Sequence, residues 1–167
     1  MSFLIDATDL CWIDGSKDDP EDLCLHGHAI VHIADKILEY DATVSSTALY
    51  LLKSLSEEHI IGQDNQMLPC CGHFLAANEE LNHVVILGCQ NGIDWTVKHN
   101  GDTVEIELED GTKDQIPFDD YKAEVFRFAD IIEAFYKACT PKVLPADSFD
   151  KNGYIAFWNE WNNRRNR

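Results

Sequence analysis

This chain of 167 residues has few basic side chains, few prolines and glycines, and no long apolar run. With 5 prolines, 9 glycines, 45% hydrophobic and 26% charged residues, it is not collagen-like, low-complexity or disordered. No apolar run approaches the roughly 18 residues that suggest a membrane-spanning helix. The first residues, Met1 to Asp6, lack the basic region and apolar core of a secretory signal. We therefore expect a cytoplasmic protein in which residues 1–167 form a single domain.

Basic side chains are scarce, because 13 lysines and arginines stand against 30 acidic residues, giving a formal net charge of −17. Residues 1–120 contain 24 acidic and 5 basic residues, whereas residues 121–167 contain 6 acidic and 8 basic ones. Such a charge repels nucleic acid and anionic membrane surfaces and attracts cationic proteins. The composition therefore predicts no nucleic-acid and no membrane partner. It favours either solubility alone or a surface shaped for a basic protein.

Common catalytic motifs are also missing, among them G-x-S-x-G, the P-loop, G-x-G-x-x-G and H-E-x-x-H. The acidic pairs Glu79-Glu80 and Asp119-Asp120 fit a solvated loop and a helix start better than a catalytic dyad. We therefore expect a protein that is not an enzyme, with no cofactor and no catalytic residues.

Cysteine and histidine are the residues present that could carry chemistry. The six cysteines are Cys11, Cys24, Cys70, Cys71, Cys89 and Cys139. In a reducing compartment most of them are expected to be small buried thiols, and no metal is predicted. An alternative is a Cys/His metal-binding protein or thiol enzyme centred on Cys71, His73 and Cys89. Cys70 is left out because adjacent side chains of a strand point to opposite faces.

Three dipeptides typical of tight hairpins divide residues 71–117, namely Asn91-Gly92, Asn100-Gly101 and Asp110-Gly111. As two-residue loops they predict one antiparallel meander, in which Val97 lies opposite both Ile86 and Val104. The inner face of this meander would carry Ile86, Ile93, Trp95, Val97, Val104, Ile106 and Leu108.

The last strand of the meander is less regular than the others. The third turn would place Asp114 opposite Glu107, and like charges that face each other in a sheet are unfavourable. The same register turns Gln115 inward and Ile116 outward, so a bulge would change the pairing.

Carboxylates are predicted on the outer face of the meander and in an N-terminal loop. The candidate partner-binding residues of the meander are Asp94, Glu105, Glu107, Glu109 and Asp114. Those of the loop are Asp18, Asp19, Glu21 and Asp22. Carboxylates spaced across a rigid surface can occupy the basic groove with which a nuclease holds phosphates, and such complementarity speeds the encounter.

Residues outside the meander predict further strands and helices. Strands are predicted over Gly27–Ile33 and Lys36–Tyr40, with an edge at Phe3–Ile5, and a loop over residues 60–70. Helices are predicted over Thr43–Leu55 with Thr43 or Ser45 as cap, from Pro117 to Cys139, and over Tyr154–Trp161. The predicted fold class is α+β, an antiparallel β-meander packed against two or three helices.

Three segments resemble parts of small cytosolic bacterial proteins: Leu68–Phe74, Asn91–Trp95 and Gly153–Trp161. In size, acidity and α+β pattern, the whole chain resembles the immunity proteins of contact-dependent growth inhibition and related polymorphic toxin systems. That resemblance implies a protein that binds and neutralises a cognate toxin domain inside the producing cell. It assigns no residue roles, so the contact residues above depend on the predicted register alone.

Overall fold

The structure is a computed structural model that describes residues 3–63 and 65–166. These residues form antiparallel sheets and three helices. The strands are β1 (Phe3–Cys11), β2 (His26–Ile33), β3 (Lys36–Ala42), β4 (Phe74–Ala77), β5 (Val84–Leu87), β6 (Trp95–Asn100), β7 (Thr103–Leu108) and β8 (Lys113–Pro117). The helices are α1 (Val44–Ser54), α2 (Phe118–Ala138) and α3 (Ser148–Arg165). The predicted α+β class is confirmed. Asp64, part of the predicted loop 60–70, lies outside the described residues.

The first sheet has the strand order β1-β2-β3 and is antiparallel throughout. Ala29, Val31 and Ile33 alternate along β2 and are buried, because every second side chain of a strand faces the core. Ala34 adopts a positive φ of 54° in the turn between β2 and β3. The predicted pair of strands is confirmed, and the predicted edge at Phe3 is a nine-residue strand.

A second sheet, β6-β7-β8, is the part of the predicted meander that forms. Val97 pairs with Ile106 and Asn100 with Thr103, so the predicted pairing of Val97 with Val104 is wrong by two positions. The turn residues are Gly101 and Asp102 instead of Asn100 and Gly101. Since the shift is even, the same side chains still face inward. The inner-face residues that are buried in this sheet are Trp95, Val97, Val104, Ile106 and Leu108.

The predicted hairpin at Asn91-Gly92 does not form. β5 pairs with β4 instead of β6, and the two make a separate two-stranded sheet. A turn over 78–83 favours this partner, because the Asn78 side chain accepts hydrogen bonds from the backbone of Asn82 and His83, both at 3.0 Å. Ile86 therefore lies opposite Leu75 and not opposite Val97.

The third hairpin has a longer loop than predicted. Glu107 lies opposite Lys113, so the predicted pairing of Glu107 with Asp114 is wrong. The Leu108 amide donates to the Thr112 carbonyl at 2.9 Å, which closes a three-residue loop over residues 109–111. This one-residue change turns Ile116 inward, where it is buried, and removes the facing carboxylates.

Three helices cover the sheets, as the sequence predicts. Thr43 occupies the N-cap position of α1, as predicted, although its side chain makes no capping hydrogen bond. The Ser45 hydroxyl accepts from the Leu25 amide at 3.1 Å instead. α2 begins after Pro117 with two aspartates in its first turn, which suits the helix dipole. α3 is longer than predicted, because Asp147 caps it well before Tyr154.

Buried side chains from all three sheets and all three helices form one hydrophobic cluster. The largest of its fully buried members include Trp12, Trp95, Trp161, Tyr121 and Phe128. Within residues 3–63 and 65–166, each helix is too short or too polar to cross a membrane.

Candidate functional site

The outer face of the β6-β7-β8 sheet carries both signs of charge. Lys113 lies 3.1 Å from Glu105 and 3.1 Å from Glu107, and Lys98 is the register partner of Glu105. The hydrogen bonds with Glu107 and Glu105 raise the pKa of Lys113. Lys98 and Lys113 therefore offset Glu105 and Glu107 on this face. The face is not the purely acidic surface that the sequence predicts.

Two of the other three candidate carboxylates of the sheet, Asp94 and Asp114, accept hydrogen bonds from backbone amides. Asp94 is nearly buried, with Oδ1 at 2.7 Å from Nε2 of His59 and accepting from the Met67 amide at 3.0 Å. Asp114 accepts from the Ala34 amide at 3.2 Å. Glu109 is exposed in the β7–β8 turn. Asp94 and Asp114 therefore hold neighbouring backbone, and Asp94 offers little surface to a partner.

The predicted N-terminal acidic loop is an ordered surface loop tied to the segment that precedes α3. Asp18 accepts from the hydroxyl of Thr140 at 2.6 Å, and the Val143 amide donates to Pro20 at 2.8 Å. Asp22 accepts from the Ile13 amide at 2.7 Å. Lys142 lies over the Trp12 ring and donates to the Asp19 carbonyl. Residues 13–24 and 140–151 therefore form one surface, here called the N-terminal acidic surface.

Acidic and apolar groups are combined on the N-terminal acidic surface. Residues 13–24 and 140–151 contain seven acidic and three basic side chains. A pocket of about 300 Å³ opens here, with Glu21, Asp22 and Asp150 among its walls, beside Phe74 and Pro145. The exposed apolar side chains of this surface and its border are Ile13, Phe74, Val143, Leu144 and Phe149. Sequence reasoning missed them, because an apolar residue in a loop or at the end of a strand or helix is buried or exposed through nonlocal packing.

A second site brings three thiols together. The Sγ atoms of Cys70, Cys71 and Cys89, here called the three-cysteine cluster, all lie within 4.8 Å of one another. Cys70 is exposed and the other two are half-buried. The exclusion of Cys70 from such a site is wrong, because β4 starts only at Phe74 and adjacent residues of an irregular segment need not point to opposite faces.

Backbone contacts hold the three-cysteine cluster in place. The Cys89 amide donates to Cys71 Sγ at 3.1 Å, and a Cβ added at Gly88 would overlap the Cys71 carbonyl oxygen. Only glycine therefore allows the two segments to approach this closely. Hydrogen bonds from the Cys71 thiol and the Asn91 backbone lower the pKa of Cys89, and the bond with Cys89 raises the pKa of Cys70.

His73 does not join this cluster. Its ring lies beside that of His26, with 5.0 Å between ring centroids, and it lines the pocket of the N-terminal acidic surface. Burial and then the charge of His73 lower the pKa of His26. The predicted set of Cys71, His73 and Cys89 is therefore replaced by a set of three cysteines.

Buried charges under α3 form a third polar group, which sequence reasoning missed. Glu160 is 2% exposed and accepts from the Val84 amide at 2.8 Å and from Arg164 Nε at 2.8 Å. Lys53 lies 3.3 Å from Glu160 and donates to the Val84 carbonyl at 2.7 Å. Burial lowers the pKa of Lys53 despite the nearby carboxylate. These contacts join α3, α1 and β5 and are explained by packing.

Comparisons with known proteins place the chain in no family. No family model matches it, and neither the curated proteins nor the solved structures gave a significant match. Function must therefore be argued from the geometry of the described residues.

Proposed function

We propose that this protein is an immunity-type inhibitor that binds and neutralises a basic toxin domain in the cytosol. The observation that carries the proposal is the N-terminal acidic surface, where seven carboxylates, three cations and several exposed apolar side chains lie together. Exposed apolar groups with a charged surround are typical of protein-binding surfaces. The protein would act by filling the basic substrate groove of its partner and not by catalysis.

The N-terminal acidic surface supports the proposal better than the meander does. Lys98 and Lys113 offset Glu105 and Glu107 on the sheet, whereas Lys142 on the acidic surface is partly covered by Trp12 and by the loop backbone. Carboxylates left without a cation produce the field that attracts a basic partner. We therefore assign the contact to Asp18, Asp19, Glu21 and Asp22, together with Asp150.

The pocket within this surface suits a cationic side chain. Glu21, Asp22 and Asp150 can accept hydrogen bonds from a guanidinium, and Phe74 and Pro145 can pack against its flat face or its alkyl stem. An arginine or lysine of the toxin that normally holds phosphate would be blocked by this insertion. The proposed partner is thus a nuclease or another enzyme with an anionic substrate.

Charge reversal on this surface tests the proposal. In the double variant Glu21→Lys/Asp150→Lys, we expect the Kd for the toxin domain encoded beside the gene to rise by about tenfold or more, because close interfacial charge pairs couple by about 1.5 kcal/mol upward. Binding should also depend less steeply on salt. Calorimetry at two salt concentrations measures both, and survival of cells that express the toxin domain measures neutralisation.

A matched control makes the same charge change elsewhere. Glu58 and Asp102 are exposed and lie outside the N-terminal acidic surface, so Glu58→Lys/Asp102→Lys should bind as the wild type does. Circular dichroism shows that both variants are folded. Equal loss of affinity in the two variants would refute the assigned surface, and failure of the wild type to protect cells from that domain would refute the function.

A further inference from the structure

The spacing of the three-cysteine cluster suits a single metal ion. Three thiolates about 2.3 Å from one ion lie roughly 3.8–4.0 Å apart. The three Sγ atoms already lie within 4.8 Å of one another, so small side-chain rotations would complete the contact. They come from two segments of the chain, 70–71 and 89, and the arrangement is therefore set by tertiary structure and not by a local turn.

From this geometry we propose that Cys70, Cys71 and Cys89 bind one thiophilic d¹⁰ metal ion, Zn²⁺ or Cu⁺, through three thiolates. Soft thiolate ligands select these ions, whereas Mg²⁺ and Ca²⁺ require oxygen ligands. Among the histidine, cysteine, aspartate and glutamate side chains of the described residues, these three thiols are the group with the spacing of a metal site. Exposure of Cys70 leaves a side open to solvent, where a water or an external ligand can complete the coordination of Zn²⁺.

The surrounding backbone makes the site rigid before any ion binds. The Gly88 contact with the Cys71 carbonyl keeps segments 70–71 and 88–89 together. The hydrogen bond from the Cys89 amide to Cys71 Sγ fixes the position of one thiol beside the other segment. A site that is ordered in advance loses less conformational entropy on binding.

Metal titration of the reduced full-length protein under anaerobic conditions tests the proposal. Co²⁺ serves as the optical probe for the Zn²⁺ site, and Zn²⁺ should displace it with one ion bound per chain. In a second titration, Cu⁺ is added in competition with a chromophoric chelator. We expect thiolate charge-transfer absorption at one equivalent of Co²⁺, or transfer of one Cu⁺ per chain from the chelator, and release of protons on binding.

Single serine variants connect the binding to the three thiols. Cys70→Ser, Cys71→Ser and Cys89→Ser should each weaken binding by more than about 100-fold, since changes even in the residues that support metal ligands cost 10–100-fold. Cys11→Ser is the matched control and should bind as the wild type does, because Cys11, at the end of β1, is not part of the three-cysteine cluster.

Two outcomes would overturn the site. One is the absence of stoichiometric Co²⁺, Zn²⁺ and Cu⁺ binding by the reduced protein, and the other is unchanged affinity in all three serine variants. Because Cys70 is exposed, Cys70→Ser should leave the thermal unfolding temperature unchanged, so loss of metal in this variant cannot be attributed to unfolding.

Discussion

Glu160 is a buried carboxylate whose surroundings decide its charge. Burial alone opposes ionisation, but the Val84 amide, Lys53 and Arg164 outweigh it and hold the pKa of Glu160 below its ordinary value. Arg164 is shared with Glu57, which leaves it a partner if Glu160 is lost. The ion pairs of Glu160 with Lys53 and Arg164 therefore depend on its ionisation.

Replacing this carboxylate by an amide should destabilise the fold. We expect Glu160→Gln to lower the free energy of unfolding at pH 7 by about 3 kcal/mol, because removing one partner of a buried ion pair costs about 3–5 kcal/mol and Glu57 still pairs with Arg164. Urea unfolding followed by circular dichroism measures the difference. Glu79→Gln, at an exposed position, is the control and should stay within about 0.5 kcal/mol of the wild type.

The pH dependence of this difference has a definite sign. Because the folded pKa lies below the unfolded value of about 4.5, the contribution of Glu160 is present above pH 4.5 and is lost as the pH falls through the folded pKa. The gap between wild type and Glu160→Gln should therefore narrow in acid. A gap that is constant from pH 7 to pH 3 would mean that the charge of Glu160 contributes nothing.

At the scale of elements, α3 lies directly on β4. A Cβ at Gly153 would overlap the Leu75 carbonyl oxygen, so the helix can approach the strand only where it has no side chain. Backbone atoms of a strand cannot rotate aside as a flexible side chain can. The contact therefore fixes the distance between α3 and the β4-β5 sheet.

Gly153→Ala should therefore destabilise the protein although alanine favours helices. Overpacking costs about 1–3 kcal/mol and the gain in helix propensity is about 1 kcal/mol, so we expect a net loss of up to about 2 kcal/mol. Asn162→Ala, on the exposed side of the same helix, is the control and should be neutral or slightly stabilising. Thermal unfolding of both variants checks this, and a more stable Gly153→Ala would show that α3 can move away from β4.

At the scale of the whole molecule, the net charge of −17 opposes the compact state. We expect added salt to raise the unfolding temperature, because screening of this repulsion outweighs the weakening of exposed ion pairs. A gain of about 1 kcal/mol corresponds to roughly 3 °C for a protein of this size. Calorimetry in sodium chloride and in choline chloride measures the shift, and a decrease in both salts would contradict the expectation.

The local pattern of apolar residues predicts which side of each strand is buried, whereas the pairing of the strands depends on nonlocal contacts. Alternation along β6 and β7 identifies the buried face, since a register error of two positions leaves Trp95 and Val97 facing inward. The partner of β5 could not be predicted, because a turn signal such as Asn91-Gly92 does not show which strands pair. The sequence grouped Cys71 with Cys89, but Cys70 was missed because residues 70 and 71 were assumed to lie in a strand, whereas β4 starts only at Phe74.

The order in which the chain is synthesised decides when the β4-β5 sheet can be covered by α3. β4 and β5 form an isolated two-stranded sheet, a unit that is only marginally stable alone, and the helix that covers it, α3, follows it in the chain after a further sheet and α2. Residues 74–87 must therefore wait until residues 148–165 have been translated before their apolar side is covered. Until then Leu75 lacks the helix that covers it, so a chain arrested before α3 should expose apolar surface of the β4-β5 sheet.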